Sequence, residues 1–342
     1  MCGDGKAALL RRIVVAGGAG FFGRNVVELL RSIDLHPIVA GRTGELRVDV
    51  EDPRSLRSVL RAGDVVVDAA GPYQSRSTAL VEAAIEVGGD VIDLNEGIDY
   101  AKAVARLDGP ARDRNVAILS SCSAVSSVAA ILVRISGVER PTRVSALVAP
   151  ASRETAHPGT VRALLRSIGR PVEVRRNGAP HIATGWRERR RFELPRRRGH
   201  LVGSALPVTL PEIWPGLRDV DCWTDTGTLG ANAVLSAASL SGALRALAEA
   251  LMPLGQLAAR VLGATHGAFA VEVEDEGGRI ARLALTAARR SYLIAAAPAA
   301  LAARALAEGR FTERGVVRAD RHVNADGLLG YLQGLGIELL RD

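Results

Sequence analysis

Lysine is almost missing from this chain. Only Lys6 and Lys102 occur in 342 residues, so arginine supplies nearly all of the 44 basic side chains. No lysine follows the glycine-rich stretch near the N-terminus, which excludes a Walker-type phosphate loop. None stands four residues after Tyr73, Tyr100, Tyr292 or Tyr331, which excludes a Tyr-x-x-x-Lys proton relay. Cysteine is also scarce. Cys2, Cys122 and Cys222 are far apart and odd in number, and the six histidines are scattered. No metal site is expected, and the cysteine usage suits a reducing, cytoplasmic compartment. No charged-then-apolar leader opens the sequence, so no signal peptide is expected. The least polar stretch, Leu229 to Leu244, contains Asn232 and several serines and reads as a buried helix, so no membrane partner is expected. No G-x-S-x-G nucleophile elbow occurs.

What is abundant is positive charge, and it is uneven. The net charge of +7 splits into −2 over residues 1–125 and +9 over the remainder. Arg187, Arg189, Arg190, Arg191, Arg196, Arg197 and Arg198 outweigh Glu188 and Glu193 within one short stretch. Aromatic residues make up only 4% of the chain, with Trp186 and Phe192 alone near this cluster. Base stacking needs more than that, so no nucleic-acid partner is expected. The cluster reads either as the solvated edge of a strand pair or as a patch that meets an anionic small-molecule substrate or partner.

The stretch Val14 to Gly23, "VVAGGAGFFG", places four glycines between an apolar run and a helical pattern carrying Val26, Val27, Leu29 and Leu30. Strand, glycine turn and helix form the setting in which backbone N–H groups cradle a pyrophosphate. Gly18, Gly20 and Gly23 satisfy G-x-G-x-x-G; Gly17, Gly20 and Gly23 satisfy G-x-x-G-x-x-G. Both spacings remain open. The turn, with Ala19, Phe21 and Phe22, is the first part of the expected cofactor site. The second strand, "HPIVAGR", ends in Arg42 and Thr43, with no acid before Glu45. Positive charge at that position favours the 2′-phosphate of NADP over the free ribose of NAD. Asp49 and the sheet-end turn Ala70-Gly71-Pro72 complete the expected cofactor contacts.

Apolar strands and helices alternate over the first 125 residues. Asp52 and Pro53 open one helix, Gly63 closes it, and "DVVVDAAGPY", "DVIDL" and "VAILSSCS" are further strands. This predicts an α/β, doubly wound parallel sheet of Rossmann type in residues 1–125. After about Ser126 the texture changes. Two hairpins, one turning at Asn177-Gly178 and one at Gly277-Gly278, flank a helical region from Gly230 to Leu262 interrupted at Pro253. Residues 126–297 therefore read as a second α+β domain carrying a mixed or antiparallel sheet. Residues 298–342 read as helical segments returning to the first domain.

"VAGR", "VVVDAAGPY", "LVEAAIEVGGDVIDLNEG" and "AILSSCSAVSSV" together resemble the NADP-binding domain of the saccharopine dehydrogenase-like oxidoreductases. The most specific parts are "AAGPY" at Ala69 to Tyr73 and "VIDLNEG" at Val91 to Gly97. "GTVRALLRSIGRP", Gly185-Trp186 and "HGAFAVEV" extend the similarity loosely into the second half. The resemblance implies NADP(H), a Rossmann domain joined to a domain with a mixed sheet, a homodimer, and an oxidoreductase acting on a small metabolite. The chain departs from the family at Ala124 to Ala129, where a proline is usual. It also lacks matches for the lysines and acids that bind an amino-acid substrate, so saccharopine itself is not the expected substrate. Tyr73, Asp93, Ser123 and His157 are the proton-relay candidates, with Tyr73, Asp93 and His157 carried forward as catalytic. Each has a second reading as a cap or turn residue. The competing function is a dinucleotide sensor without catalysis.

Overall fold

The computed structural model describes residues 10–342, so Cys2 and Lys6 lie outside the described residues. The first domain runs β1 (Ile13–Ala16), α1 (Phe21–Arg31), β2 (Ile38–Gly41), β3 (Leu46–Arg47), α2 (Pro53–Val59), β4 (Val65–Asp68), α3 (Ala79–Val87), β5 (Asp90–Asp93), α4 (Ile98–Ala105), α5 (Asp108–Asp113) and β6 (Ala117–Leu119). Both faces of the sheet are covered, so its central strands are near-continuous apolar runs. Val65, Val66 and Val67 are wholly buried. Asp52 caps α2 by accepting from the Arg54 N–H at 2.9 Å. The sheet order is β6-β5-β4-β1-β2-β3, extended beyond β6 by Gly315–Val316, with every pair parallel. The order reverses between β1 and β4, and ligands of such sheets bind beyond the carboxyl ends at that point.

A π-helical turn at Ala124–Val128 leads into α6 (Ala129–Ile135) and the second domain. There follow β7 (Pro141–Ala149), α7 (Ser152–Thr155), α8 (Pro158–Arg166), β8 (Pro171–Arg176), β9 (Ala179–Thr184), β10 (Arg189–Glu193), β11 (Arg196–Val202), α9 (Leu206–Thr209) and β12 (Asp219–Thr224). Next come α10 (Ala231–Ala238), α11 (Gly242–Ala250), α12 (Met252–Leu262), β13 (Gly267–Asp275) and β14 (Ile280–Ala287). The sheet is mixed: β7 and β12 pair in parallel, and the other pairs are antiparallel. Period-2 alternation serves two cores. Phe269, Val271 and Val273 of β13 face the core shared with the first domain, and Ala268 and Ala270 face the opposite one. Trp186 forms a smaller cluster with Leu165 and Ile168 beneath α8 and α10; it is wholly buried, donates to Ser167 Oγ at 3.1 Å and stacks on His200.

α13 (Leu293–Ala307), β15 (Gly315–Val316), α14 (Ala325–Gly334) and β16 (Ile337–Arg341) complete the chain. The alanine-rich α13 packs against α1, β4 and β5. The C-terminal segment differs from the helical expectation in two places. β15 pairs with β6 in the first sheet, and β16 pairs with β14 in the second. In β16, Ile337 is buried while Glu338 is exposed, the strand period that a helical reading overlooks. Pro253 also differs: it lies in the first turn of α12, where its missing N–H costs nothing, and the breaks fall at Ser241 and Leu251. Among the described residues, no helix is long and apolar enough to cross a membrane.

Candidate functional site

The glycine turn lies at the β1/β4 switch. Gly17 has φ +72°, and a Cβ there would sit 2.7 Å from the Ala70 backbone. A Cβ on Gly23 would sit 2.2 Å from the Gly17 carbonyl oxygen, so that glycine brings α1 against the turn. Gly18 lies outside the left-handed region, and its virtual Cβ meets Val15 O and Val39 at 3.0 Å. The special geometry thus falls at Gly17 and Gly23, whereas Gly20, with φ −73° and its nearest contact at 3.1 Å, is no tighter than Gly18. The Gly20 N–H is already committed to Gly17 O at 2.8 Å. The first-turn N–H groups of α1 have no intrahelical acceptor, and Ala19, Gly20, Phe21 and Phe22 line a large cleft. A cradle that a Cβ would fill, followed by a helix N-terminus, fits a dinucleotide pyrophosphate.

Along the same cleft lie Gly41, Arg42, Thr43 and Asp49. Arg42 is exposed, and Asp49 accepts from the Glu51 N–H at 3.0 Å. Ala70, Gly71 and Pro72 form the facing wall. Their loop is held by a pair the sequence reading passed over. Arg76 donates to both oxygens of the wholly buried Asp68 at 2.8 Å and to Ala70 O at 2.7 Å. Its guanidinium lies within 5.5 Å of the Tyr73 ring and 6.0 Å of the Tyr100 ring. Burial works against the Arg76 charge, yet the Asp68 carboxylate holds its pKa above the ordinary value.

The three catalytic candidates do not converge. The Tyr73 hydroxyl donates to Asp68 O at 2.5 Å and accepts from the Leu94 N–H at 3.3 Å, tying the ends of β4 and β5 together. Burial, with the nearby Asp68 and Asp93 carboxylates, raises its pKa well above 10. Asp93 is fully buried and accepts from the N–H groups of Ser121 at 2.7 Å and Asn95 at 3.0 Å. Burial pushes its pKa up to about 6, against those hydrogen bonds. Asp93 is absent from the cleft wall. His157 begins α8 and stacks on Phe21 with ring centroids 4.2 Å apart, closing over the glycine turn. Burial, then Arg260 and Arg24, lowers its pKa.

Ser123 leads to a different acid. Its Oγ donates to Glu96 Oε1 at 2.8 Å, and both residues line the cleft. Glu96 is half-buried just beyond the carboxyl end of β5, across from Ser204, Cys222 and Thr224 of the second domain. Burial pushes its pKa up to about 7, against hydrogen bonds from Ser123 and Val125. The signal was available: an acid three residues past a strand of a parallel sheet stands at the ligand edge. The arginine cluster lies elsewhere. Arg190 pairs with Glu272 at 2.8 Å, Arg191 with Glu193 at 3.0 Å, and Arg197 with Asp225 at 3.8 Å; none of the cluster lines the cleft. Among the described residues, no group of three or more His, Cys, Asp or Glu side chains is placed to hold a metal.

Residues 13–119 match the saccharopine dehydrogenase NADP binding domain. Over 97% of this chain and 100% of the other, the fold is shared with apo saccharopine dehydrogenase (L-Glu forming) from Saccharomyces cerevisiae, at 13% identity and a TM-score of 0.62. A meso-dapdh mutant with DAP from Clostridium tetani is a weaker likeness, 11% identical over 94% of this chain and 98% of that one, with a TM-score of 0.45. A lipid droplet localized protein of Caenorhabditis elegans is 31% identical over 137 residues, 32% of this chain. That similarity spans about a third of the relative's length, 32%.

Proposed function

Taking as premise that residues 13–119 belong to the saccharopine dehydrogenase NADP-binding family, we propose that the protein is an NADPH-dependent reductase of a polarised double bond in a small metabolite. The observation that carries this reading is the Glu96–Ser123 pair, which lines the same cleft as the glycine turn. The first-turn N–H groups of α1 hold the pyrophosphate, and Arg42 meets the 2′-phosphate, the basis for preferring NADPH to NADH. When bound, the nicotinamide supplies a hydride. Glu96, with a pKa of about 7, keeps a proton available near neutral pH. Ser123 donates to Oε1 and so orients the carboxyl, whose proton goes to the substrate atom that gains electron density. Tyr73 and Asp93 hold the sheet edge on which this happens, and His157 covers the phosphate end.

Glu96→Gln tests the assignment. NADPH oxidation is followed across a panel of small carbonyl and enoyl compounds. With any compound that the wild type reduces, kcat/KM should fall about 10²- to 10⁴-fold in the variant, with NADPH affinity unchanged. Wild-type kcat/KM should decline above pH about 7, as the acid is lost, and the variant should lack that limb. An unchanged kcat/KM removes Glu96 from the chemistry.

A further inference from the structure

The cleft is larger than a dinucleotide site needs. Its volume is about 1990 Å³, against roughly 300–1000 Å³ for ordinary small-molecule pockets. Beyond the Phe21–His157 stack it continues as a chamber under α8, α10 and α12, walled by Val161, Leu164, Val234, Leu235, Met252 and Leu254. Several polar side chains along this wall are engaged within the protein. Thr228 donates to Ser152 Oγ at 3.0 Å, Thr226 Oγ1 donates to Asn232 Oδ1 at 2.8 Å, and Thr155 donates to Ala151 O at 3.1 Å. Glu173 is paired with Lys102 at 2.6 Å. Arg162 and Arg166 are exposed, and Arg166 reaches Ser75 Oγ at 3.3 Å. Large apolar side chains nevertheless stand open to solvent along this wall: Ile182 at 61%, Leu229 at 85%, Val234 at 62%, Leu251 at 46% and Leu254 at 63% exposure. Contiguous apolar surface of this kind marks a binding site.

We propose that the substrate carries a long aliphatic chain that lies in this chamber, with its reducible carbonyl or enoyl head at Glu96. The proposal rests on the reductase reading above. The head accepts a hydride from NADPH at its electrophilic carbon and a proton from Glu96 at the atom that takes up the electron pair; NADP⁺ and the Glu96 carboxylate remain, and solvent restores the proton. The tail makes no polar contact, and its burial covers the apolar side chains left open on α10 and α12.

The test separates tail binding from turnover. Calorimetry with NADP⁺-loaded protein, in which no reduction can occur, measures binding of straight-chain methyl ketones from four to twelve carbons. Affinity should rise by up to about fourfold per methylene. Val234→Asp and Leu254→Asp replace exposed side chains, so folding is spared. Each should weaken the longest ketone at least tenfold while leaving NADPH affinity unchanged. Affinity independent of chain length, or unaltered in both variants, overturns the proposal. Sedimentation of the same variants covers the case in which this surface joins two copies of the chain; a change in mass without any chain-length dependence also overturns it. Chain-length-dependent binding without NADPH oxidation supports the apolar chamber and refutes the reductase reading. Turnover of short polar substrates alone does the reverse.

Discussion

Replacing Gly17 by alanine separates the two ways the glycine turn can be drawn. Alanine at φ +72° is strained by about 1–2 kcal/mol, as for any L-residue in the left-handed region. Its Cβ would also stand 2.7 Å from the Ala70 backbone. That backbone cannot retreat freely: the Ala70 N–H donates to Asp68 Oδ1 at 3.0 Å, and its carbonyl accepts from Arg76 at 2.7 Å. Forcing a methyl into such a contact costs about 1–3 kcal/mol more. The sum, about 2–5 kcal/mol, lowers Tm by at least about 4 °C at roughly 2–4 °C per kcal/mol. Gly20→Ala is the control. Its Cβ meets only the Gly17 oxygen at 3.1 Å, and φ is −73°, so it should cost less than about 1 kcal/mol. It nevertheless adds a methyl where the pyrophosphate must approach. Calorimetric melts and NADPH titrations of both variants give the pattern: Gly17→Ala loses stability and binding, and Gly20→Ala loses binding with little change in Tm. A Gly17→Ala variant that melts like the wild type, or above Gly20→Ala, refutes the reasoning.

Arg42→Ala should weaken NADPH about ten- to a hundredfold, the loss of one charge-assisted bond of about 1.5–3 kcal/mol, and leave NADH unaffected. Parallel titrations decide, and equal effects on both nucleotides dismiss Arg42 as the selector. His322 predicts acid sensitivity. Its ring is buried between Ser127 Oγ at 2.8 Å and Val317 O at 2.9 Å, and burial depresses its pKa to about 4. The unfolded chain takes up this proton near pH 6.5, so stability present above 6.5 is lost as pH falls toward 4, by about 3 kcal/mol in all. Urea melts of His322→Asn should show lower stability at pH 7.5 but a flatter decline below 6.5; an identical decline assigns the acid sensitivity to other groups.

The first domain was legible because β1, β2, β4, β5 and β6 are short apolar runs punctuated by turn residues, and because Asp52 and Pro53 announce a helix on local chemistry alone. The glycine turn was legible as a phosphate site but not in its spacing, since only the folded backbone, through φ at Gly17 and the contact with Ala70, distinguishes Gly17 from Gly18. Glu96 and Arg76 escaped for a common reason. A charged side chain next to small polar residues looks the same in sequence whether it is solvated or sunk into a cleft. Burial supplied by β12 or Tyr100 comes from distant parts of the chain. β15 and β16 escaped because their partners, β6 and β14, are far upstream, and two or five residues carry too little periodicity. Asp93 ends β5 and Tyr73 follows the turn after β4, yet the Tyr73 hydroxyl and Asp93 Oδ1 are taken up by the backbone around them.

Trp186, sealed beneath α8 and α10, makes the molecule its own optical instrument. The chain's other tryptophans, Trp214 and Trp223, also lie after residue 135, so the nucleotide-binding half contains no indole. Tryptophan emission therefore originates wholly in the second domain. A shift in the tryptophan emission on adding oxidised dinucleotide alone would report a rearrangement transmitted between domains. Quenching by the reduced form would add energy transfer to the nicotinamide, a ruler across the cleft. Comparing the two nucleotides on the unlabelled wild type thus distinguishes domain movement from mere proximity.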